Sequence, residues 1–164
     1  MAEMVEMALE GVIQLPGGGH VAVLRELGGE RSVGIGLGAH PAHWLSAQLA
    51  RVPLARPNTY VLALRVIDCL GGHLLRATLD DNGQTEPAAY VELEGPGGVV
   101  ELGCSPQDAV ALAAYGGVPI LVQPTLFNSG ARRAGTHLQP RRREGPRPPA
   151  PDGEPGAPPA PPQA

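Results

Sequence analysis

The sequence predicts an α+β fold: an antiparallel or mixed sheet carrying three helices, followed by a C-terminal tail with no packed core. Three observations lead there. Apolar residues alternate with a period of two in stretches divided by glycine-rich turns, which is the mark of half-buried strands. Three other stretches carry helix-start signals. From about Asn128 onward apolar residues nearly vanish in favour of Pro, Gly, Ala and Arg, so that segment cannot bury enough surface to offset the entropy of ordering it. No βαβ unit repeats, which argues against a doubly wound nucleotide-binding sheet. Strand order does not follow from periodicity.

Taken in order, "MVEMALEGVIQL" (4–15) sets Val5, Met7 and Leu9 on one side of a strand. "PGGG" turns the chain, "HVAVLREL" (20–27) returns, and "RSVGIGLG" (31–38) completes an antiparallel meander. Pro41 suits a first helical position, and Trp44, Leu45, Gln48 and Leu49 form the stripe of a short helix ending near Arg51. Thr59 is placed as N-cap of a second helix, "YVLALRVIDCL", with Gly71 and Gly72 as its stop and Leu62, Val66 and Leu70 facing a core. Strands follow at 73–81, 86–94 and 98–104. Ser105 then caps a third helix with Pro106 at its first position and Asp108 at its third, where it closes a capping box and meets the positive end of the helix dipole. "VPILV" (118–122) is a short buried strand that ends the fold.

Charge divides unevenly along the 164 residues. Residues 1–127, the predicted domain, hold six arginines against thirteen acids, a net of −7; residues 128–164 hold six arginines (Arg132, Arg133, Arg141, Arg142, Arg143 and Arg147) against three acids, a net of +3. An acidic body does not draw polyanions by its overall field, so contact with nucleic acid requires a local site or the tail. Cys69 and Cys104 belong to no C-x-x-C pair and read as reduced thiols. The acidic N-terminus and the lack of any apolar run near 20 residues predict a soluble, cytoplasmic protein with no membrane partner.

Most candidate sites dissolve on inspection. In "GIGLGAHPAHW" (34–44) the alternation of Gly34, Gly36 and Gly38 puts them on one strand face, unlike the G-x-G-x-x-G spacing a pyrophosphate needs. His40 and His43 lack a third metal ligand, and Pro41 sets His40 just outside the helix. Ser46 sits mid-helix, and Ser105 lacks a nucleophile elbow. Five aromatic residues beyond histidine, Trp44, Tyr60, Tyr90, Tyr115 and Phe127, are too few for a base-stacking surface. Two polar junctions remain: Arg56, Asn58, Thr59 and Tyr60 before the second helix, and Ser105, Gln107 and Asp108 before the third. Helix N-termini favour anions, and an arginine beside one can hold phosphate; well-capped helices with a solvated arginine are the plain alternative.

At these junctions the sequence resembles the bifunctional nuclease domain family. "RPNTYVLALRVIDCLGG" (56–72) is similar to that family's R-P-x-T-H, apolar helix and L-G; "SPQDAVALAAYGGVPILV" (105–122) is similar to its R-P-S-D-A-I-A-L-A and P-I-x-V; "RSVGIGLGAHPAHWLSAQL" (31–49) aligns with its strand, glycine and E-A-x-x-I helix. The resemblance spans about residues 4–124 and makes Gly38 the family glycine at the end of a core strand. It implies hydrolysis of DNA or RNA phosphodiester bonds, with Asp108 as base or ligand to a divalent metal (Mg or Mn), Arg56 on phosphate, and Thr59, Tyr60 and Ser105 binding substrate. It also implies a homo-oligomer. Four polar positions depart from the family pattern: Pro41 for glutamate, Tyr60 for histidine, and Gly103 and Ser105 for aspartate and arginine. Two readings follow: a nuclease, with its chemistry weakened by those changes, or a non-catalytic binding or regulatory module whose tail touches nucleic acid or an acidic partner.

Overall fold

The computed structural model describes residues 3–127; the predicted tail, residues 128–164, lies outside them. The chain forms strands β1 (Val5–Gln14), β2 (His20–Glu26) and β3 (Ser32–Leu37), helices α1 (Ala39–Leu49) and α2 (Thr59–Cys69), strands β4 (His73–Asp80), β5 (Ala88–Gly95) and β6 (Gly98–Cys104), helix α3 (Pro106–Gly116) and strand β7 (Ile120–Val122). This is the predicted α+β class with its predicted order of elements. One further helical turn, residues 125–127, follows the last strand and buries Leu126, so the fold runs past the strand that was expected to end it.

All seven strands join one sheet in the order β3-β2-β1-β7-β4-β5-β6. Two antiparallel meanders, β1–β3 and β4–β6, stand side by side and are joined by the three residues of β7, antiparallel to β1 and parallel to β4. The helices cover one face. Met7, Leu24, Leu79 and Val122 project from the sheet against Leu45 of α1 and Val110 of α3, all fully buried. The alternation read in the first strand holds: Met7 is buried, with Val5 and Leu9 packed beside it. Gly34 and Gly36 lie on the opposite, exposed face of β3. A Cβ at Gly34 would meet Val21 Cγ1 at 2.9 Å, whereas one at Gly36 would meet nothing, so close packing explains only the first.

Three helix details differ from expectation. α1 begins at Ala39 behind Gly38 as N-cap, which puts His40 inside the helix and Pro41 in its third position, still within the first turn whose N–H groups have no obligatory partner. The α2 cap is Asn58, whose Oδ1 accepts from Val61 N at 2.9 Å; Thr59 is the first helical residue. Most consequential, Leu62, Val66 and Leu70 are 54, 49 and 74% exposed. α2 packs instead through Tyr60, Leu64 and Ile67. Apolar residues nearly encircle this helix, so periodicity alone does not choose the face that packs. Cys69 and Cys104 are free thiols, and no helix among the described residues is long and apolar enough to cross a membrane.

Candidate functional site

α3 lies between α1 and α2 and touches both, and polar side chains from all three helices meet along it. Ser105 and Asp108 build the start of α3. Asp108 N donates to Ser105 Oγ at 3.2 Å, and Ser105 Oγ donates to Asp108 Oδ2 at 2.6 Å. The reciprocal cap predicted for this helix therefore forms, with the carboxylate taking the cap hydroxyl instead of its backbone N–H. The other carboxylate oxygen, Oδ1, accepts from Tyr60 Oη of α2 at 3.2 Å. Next to Asp108, Gln107 Oε1 accepts from Gly38 N at 2.9 Å and ties the α3 start to the α1 start.

One step deeper, the rings of Tyr60 and Tyr115 stack with centroids 6.0 Å apart and planes 18° from parallel. Tyr115 Oη donates to the Trp44 carbonyl of α1 at 2.8 Å. Asn58, only 6% exposed, uses its oxygen to cap α2; its buried Nδ2 makes no hydrogen bond of good geometry, but it lies near enough to the Tyr115 hydroxyl to oppose the rise that burial gives that phenol. Burial and then the Asp108 charge push the Tyr60 hydroxyl up to about 12. Burial likewise raises Tyr115, and burial followed by Asp108 raises the Cys104 thiol. Both phenols are thus kept protonated as donors, Tyr60 to the Asp108 carboxylate and Tyr115 to the Trp44 carbonyl.

Of the residues singled out from sequence, the fold brings Tyr60, Ser105 and Asp108 into one hydrogen-bonded cluster. Arg56 and Thr59 stand outside it: both are exposed, close to the α2 start but in none of the cluster's bonds. His40 and His43 are exposed and sit edge-on to Trp44. Tyr115 was missed as a site residue. Its signal was available, since seven residues after Asp108 on a helix is two turns, hence the same face.

The donor chemistry can be tested against a divalent cation. Asp108 is the cluster's lone carboxylate, and among the described residues no three His, Cys, Asp or Glu side chains gather. This does not fit a cage built by protein ligands alone. It does fit the way Mg²⁺ is commonly held, by one or two carboxylates completed by water and substrate phosphate.

An acid whose two oxygens are held by neutral hydroxyl donors joins the start of one helix to the start of another in a single polar junction. The family model described as the bifunctional nuclease domain matches residues 22–134, which include both junctions, and the chain belongs to that family. No curated protein matches it.

Proposed function

We propose that this protein hydrolyses phosphodiester bonds of DNA or RNA at the α2–α3 junction. The observation that carries the reading is the Tyr60–Asp108–Ser105 cluster, found where the chain matches a nuclease domain family. The start of α3 bears the positive end of a helix dipole, and Arg56 lies two residues before the α2 cap, so the region suits a phosphate. In this proposal Arg56 binds the phosphate, Thr59 and Ser105 orient it, Tyr60 turns its one hydroxyl proton from Asp108 Oδ1 to a phosphate oxygen, and Asp108 Oδ1, freed by that turn, accepts a proton from the attacking water. Asp108 is also the residue that would hold a Mg²⁺ or Mn²⁺, which when bound supplies positive charge to the phosphoryl oxygens.

The test is cleavage of end-labelled single- and double-stranded DNA and RNA by the full chain, with Mg²⁺, Mn²⁺ or EDTA, against Asp108→Asn. Cutting that disappears in the variant supports the assignment. Cutting equal to wild type by a folded Asp108→Asn protein removes Asp108 from the reaction.

A second reading has its own observation. Both Asp108 oxygens already accept hydrogen bonds from side chains of the same chain, as expected of a carboxylate kept for structure, and the surrounding body is acidic. On that reading the scaffold persists as a binding or regulatory module, and a folded wild-type protein cuts nothing above the variant's background. In either case we propose that it works as a homo-oligomer.

A further inference from the structure

The helices cover the side of the sheet that carries Met7, Leu24, Leu79 and Val122. Residues of the opposite parity form a second face, and no described element packs over it. Its middle row runs Glu6, Leu121, Thr78, Tyr90 and Gly103 across five strands. Two hollows open on this face, one of about 470 Å³ beside Asp80, Tyr90 and Gln123, the other of about 540 Å³ beside Glu6, Arg76, Val99 and Leu121.

Charge on the open face is left over in a specific way. Arg25 holds Glu10 at 2.7 Å and Arg76 holds Glu92 at 2.8 Å, which uses both arginines of the face. Glu6, Asp80, Glu94 and Glu101 make no ion pair among the described residues. The β5–β6 register sets Glu92 directly opposite Glu101, and like charges so placed destabilise a sheet. Arg76 offsets the first carboxylate and leaves the second. Four free carboxylates around a half-buried Tyr90 suit guanidinium groups, which grip carboxylates through a planar fork and lie over aromatic rings.

The chain itself supplies such groups. The last described residue, Phe127, lies 4.7 Å below the Arg31 guanidinium, at the end of the sheet where β7 and β4 finish and where Asp80 and Glu6 stand. Arg132 and Arg133 follow within six residues, and Arg141, Arg142, Arg143 and Arg147 within twenty. At about 3.5 Å per extended residue, five residues span up to about 17 Å and fourteen up to about 49 Å. From β7 to β6 is three strand spacings, about 14 Å. Both groups of arginines therefore reach the face, the first as far as Asp80 and Glu6, the second as far as Glu94 and Glu101. Four prolines within residues 139–149 unfit this segment for pairing with a sheet edge, but not for crossing a face.

We infer that the open face of the sheet is the docking surface for the chain's own arginine-bearing segment, residues 132–147, held in cis by Glu6, Asp80, Glu94 and Glu101. Each exposed pair is weak alone. Attachment a few residues away gives the segment an effective concentration in the millimolar range, so several weak pairs act together. A nucleic acid does not suit a face whose free charge is negative, and a free polycation or a basic protein lacks the tether. The consequence is competition: guanidinium groups engaged on the face are withheld from an outside polyanion, so the acidic body sets how freely the tail acts. The inference stands whether or not the chain cuts nucleic acid.

The test is paramagnetic relaxation in the full chain. In a Cys69→Ser, Cys104→Ser background, a nitroxide on Gly145→Cys, between Arg143 and Arg147, should broaden the amide signals of Thr78, Glu94 and Glu101 roughly threefold more than those of Leu49 and Leu62 on the helix side, at low ionic strength. The difference should vanish in about 0.5 M salt, where exposed charges are screened, and when Arg141, Arg142, Arg143 and Arg147 are replaced by glutamine. Glu94→Gln with Glu101→Gln should reduce it by roughly half, since two of the four free carboxylates are gone, with unchanged far-ultraviolet circular dichroism. Attachment in cis is read by mixing nitroxide-bearing protein with isotope-enriched protein that carries none, which should show no broadening. Broadening spread evenly over both faces, broadening indifferent to salt or to the glutamine replacements, or broadening as strong between copies as within one would each overturn the inference. So would an even spread accompanied by shifts of the Glu94 and Glu101 amides on adding spermine, which would give the face to a free polycation instead.

Discussion

Tyr60 and Asp108 are 48 residues apart in the chain and joined by a 3.2 Å hydrogen bond from the Tyr60 hydroxyl to Asp108 Oδ1. The bond couples the first turn of α2 to the first turn of α3 and gives the candidate site a measurable stiffness. A bond to a charged acceptor in a partly buried place contributes on the order of 1.5–3 kcal/mol, and a long one lies at the low end. A double-mutant cycle of Tyr60→Phe and Asp108→Ala, followed by urea unfolding, should give a coupling energy of about 1.5 kcal/mol. A value near zero would mean that the two side chains do not feel each other in solution.

The same phenol predicts how stability responds to alkali. Tyr60 is raised to about 12 by burial and by Asp108, and Tyr115 is raised by burial. Both pKa values lie above the ordinary tyrosine value near 10, so the stabilisation is fully present below about pH 10. Above it the unfolded chain gives up protons that the native state keeps. Stability then falls as pH rises toward 12, with a slope of up to about 1.4 kcal/mol per pH unit for each tyrosine involved. Urea midpoints measured from pH 9 to 11.5 should show this decline, and Tyr60→Phe should flatten it. An equal slope in the variant would assign the decline to other groups.

The order of elements was legible because each carries local information. Ser105, Pro106 and Asp108 write a helix start into four residues, and the cap forms as written. Gly71, with φ of 77°, ends α2 where the sequence put the stop. What local pattern does not carry is the choice between two apolar faces of one helix. Leu62, Val66 and Leu70 satisfy helical spacing as well as Tyr60, Leu64 and Ile67 do, and only the position of α3 decides between them. Strand order was hidden for a similar reason: the central strand is the last and shortest, and its pairing with β1 and β4 is long-range. At the site, Asp108, Ser105 and Tyr60 were legible from the two helix starts. Tyr115 and the Trp44 carbonyl joined them only through packing.

Asn58 carries a conflict that mutation can separate. Its oxygen caps α2, which is worth about 1 kcal/mol, while its buried amide nitrogen makes no hydrogen bond of good geometry, reaching only toward the Tyr115 hydroxyl, and so costs stability. Asn58→Ala removes the cap and should destabilise by about 1–2 kcal/mol. Asn58→Ser keeps a capping oxygen and discards the unpartnered donor, so it should lose less than half as much. Thermal unfolding of the three proteins decides the point: a serine variant as unstable as the alanine variant would show that the capping oxygen contributes nothing and that the loss lies in the amide nitrogen both variants remove.

Nucleic-acid affinity, if it arises from the tail, has a quantitative signature. The body has a net charge of −7 and the tail six arginines, so non-specific attraction to RNA should come from the tail. Each phosphate contact on a single strand contributes about 0.7 to the slope of log affinity against log salt, so six arginines give a slope of up to about 4. Replacing all six with glutamine in the full chain should remove most of that slope from single-stranded RNA binding followed by fluorescence anisotropy. Arg56→Ala should change the slope by about 1 at most and act on cleavage instead, because one arginine at a helix start orients a phosphate without building a polyelectrolyte surface. A salt slope that survives loss of the tail arginines and falls with Arg56→Ala would move the binding surface from the tail to the α2–α3 junction.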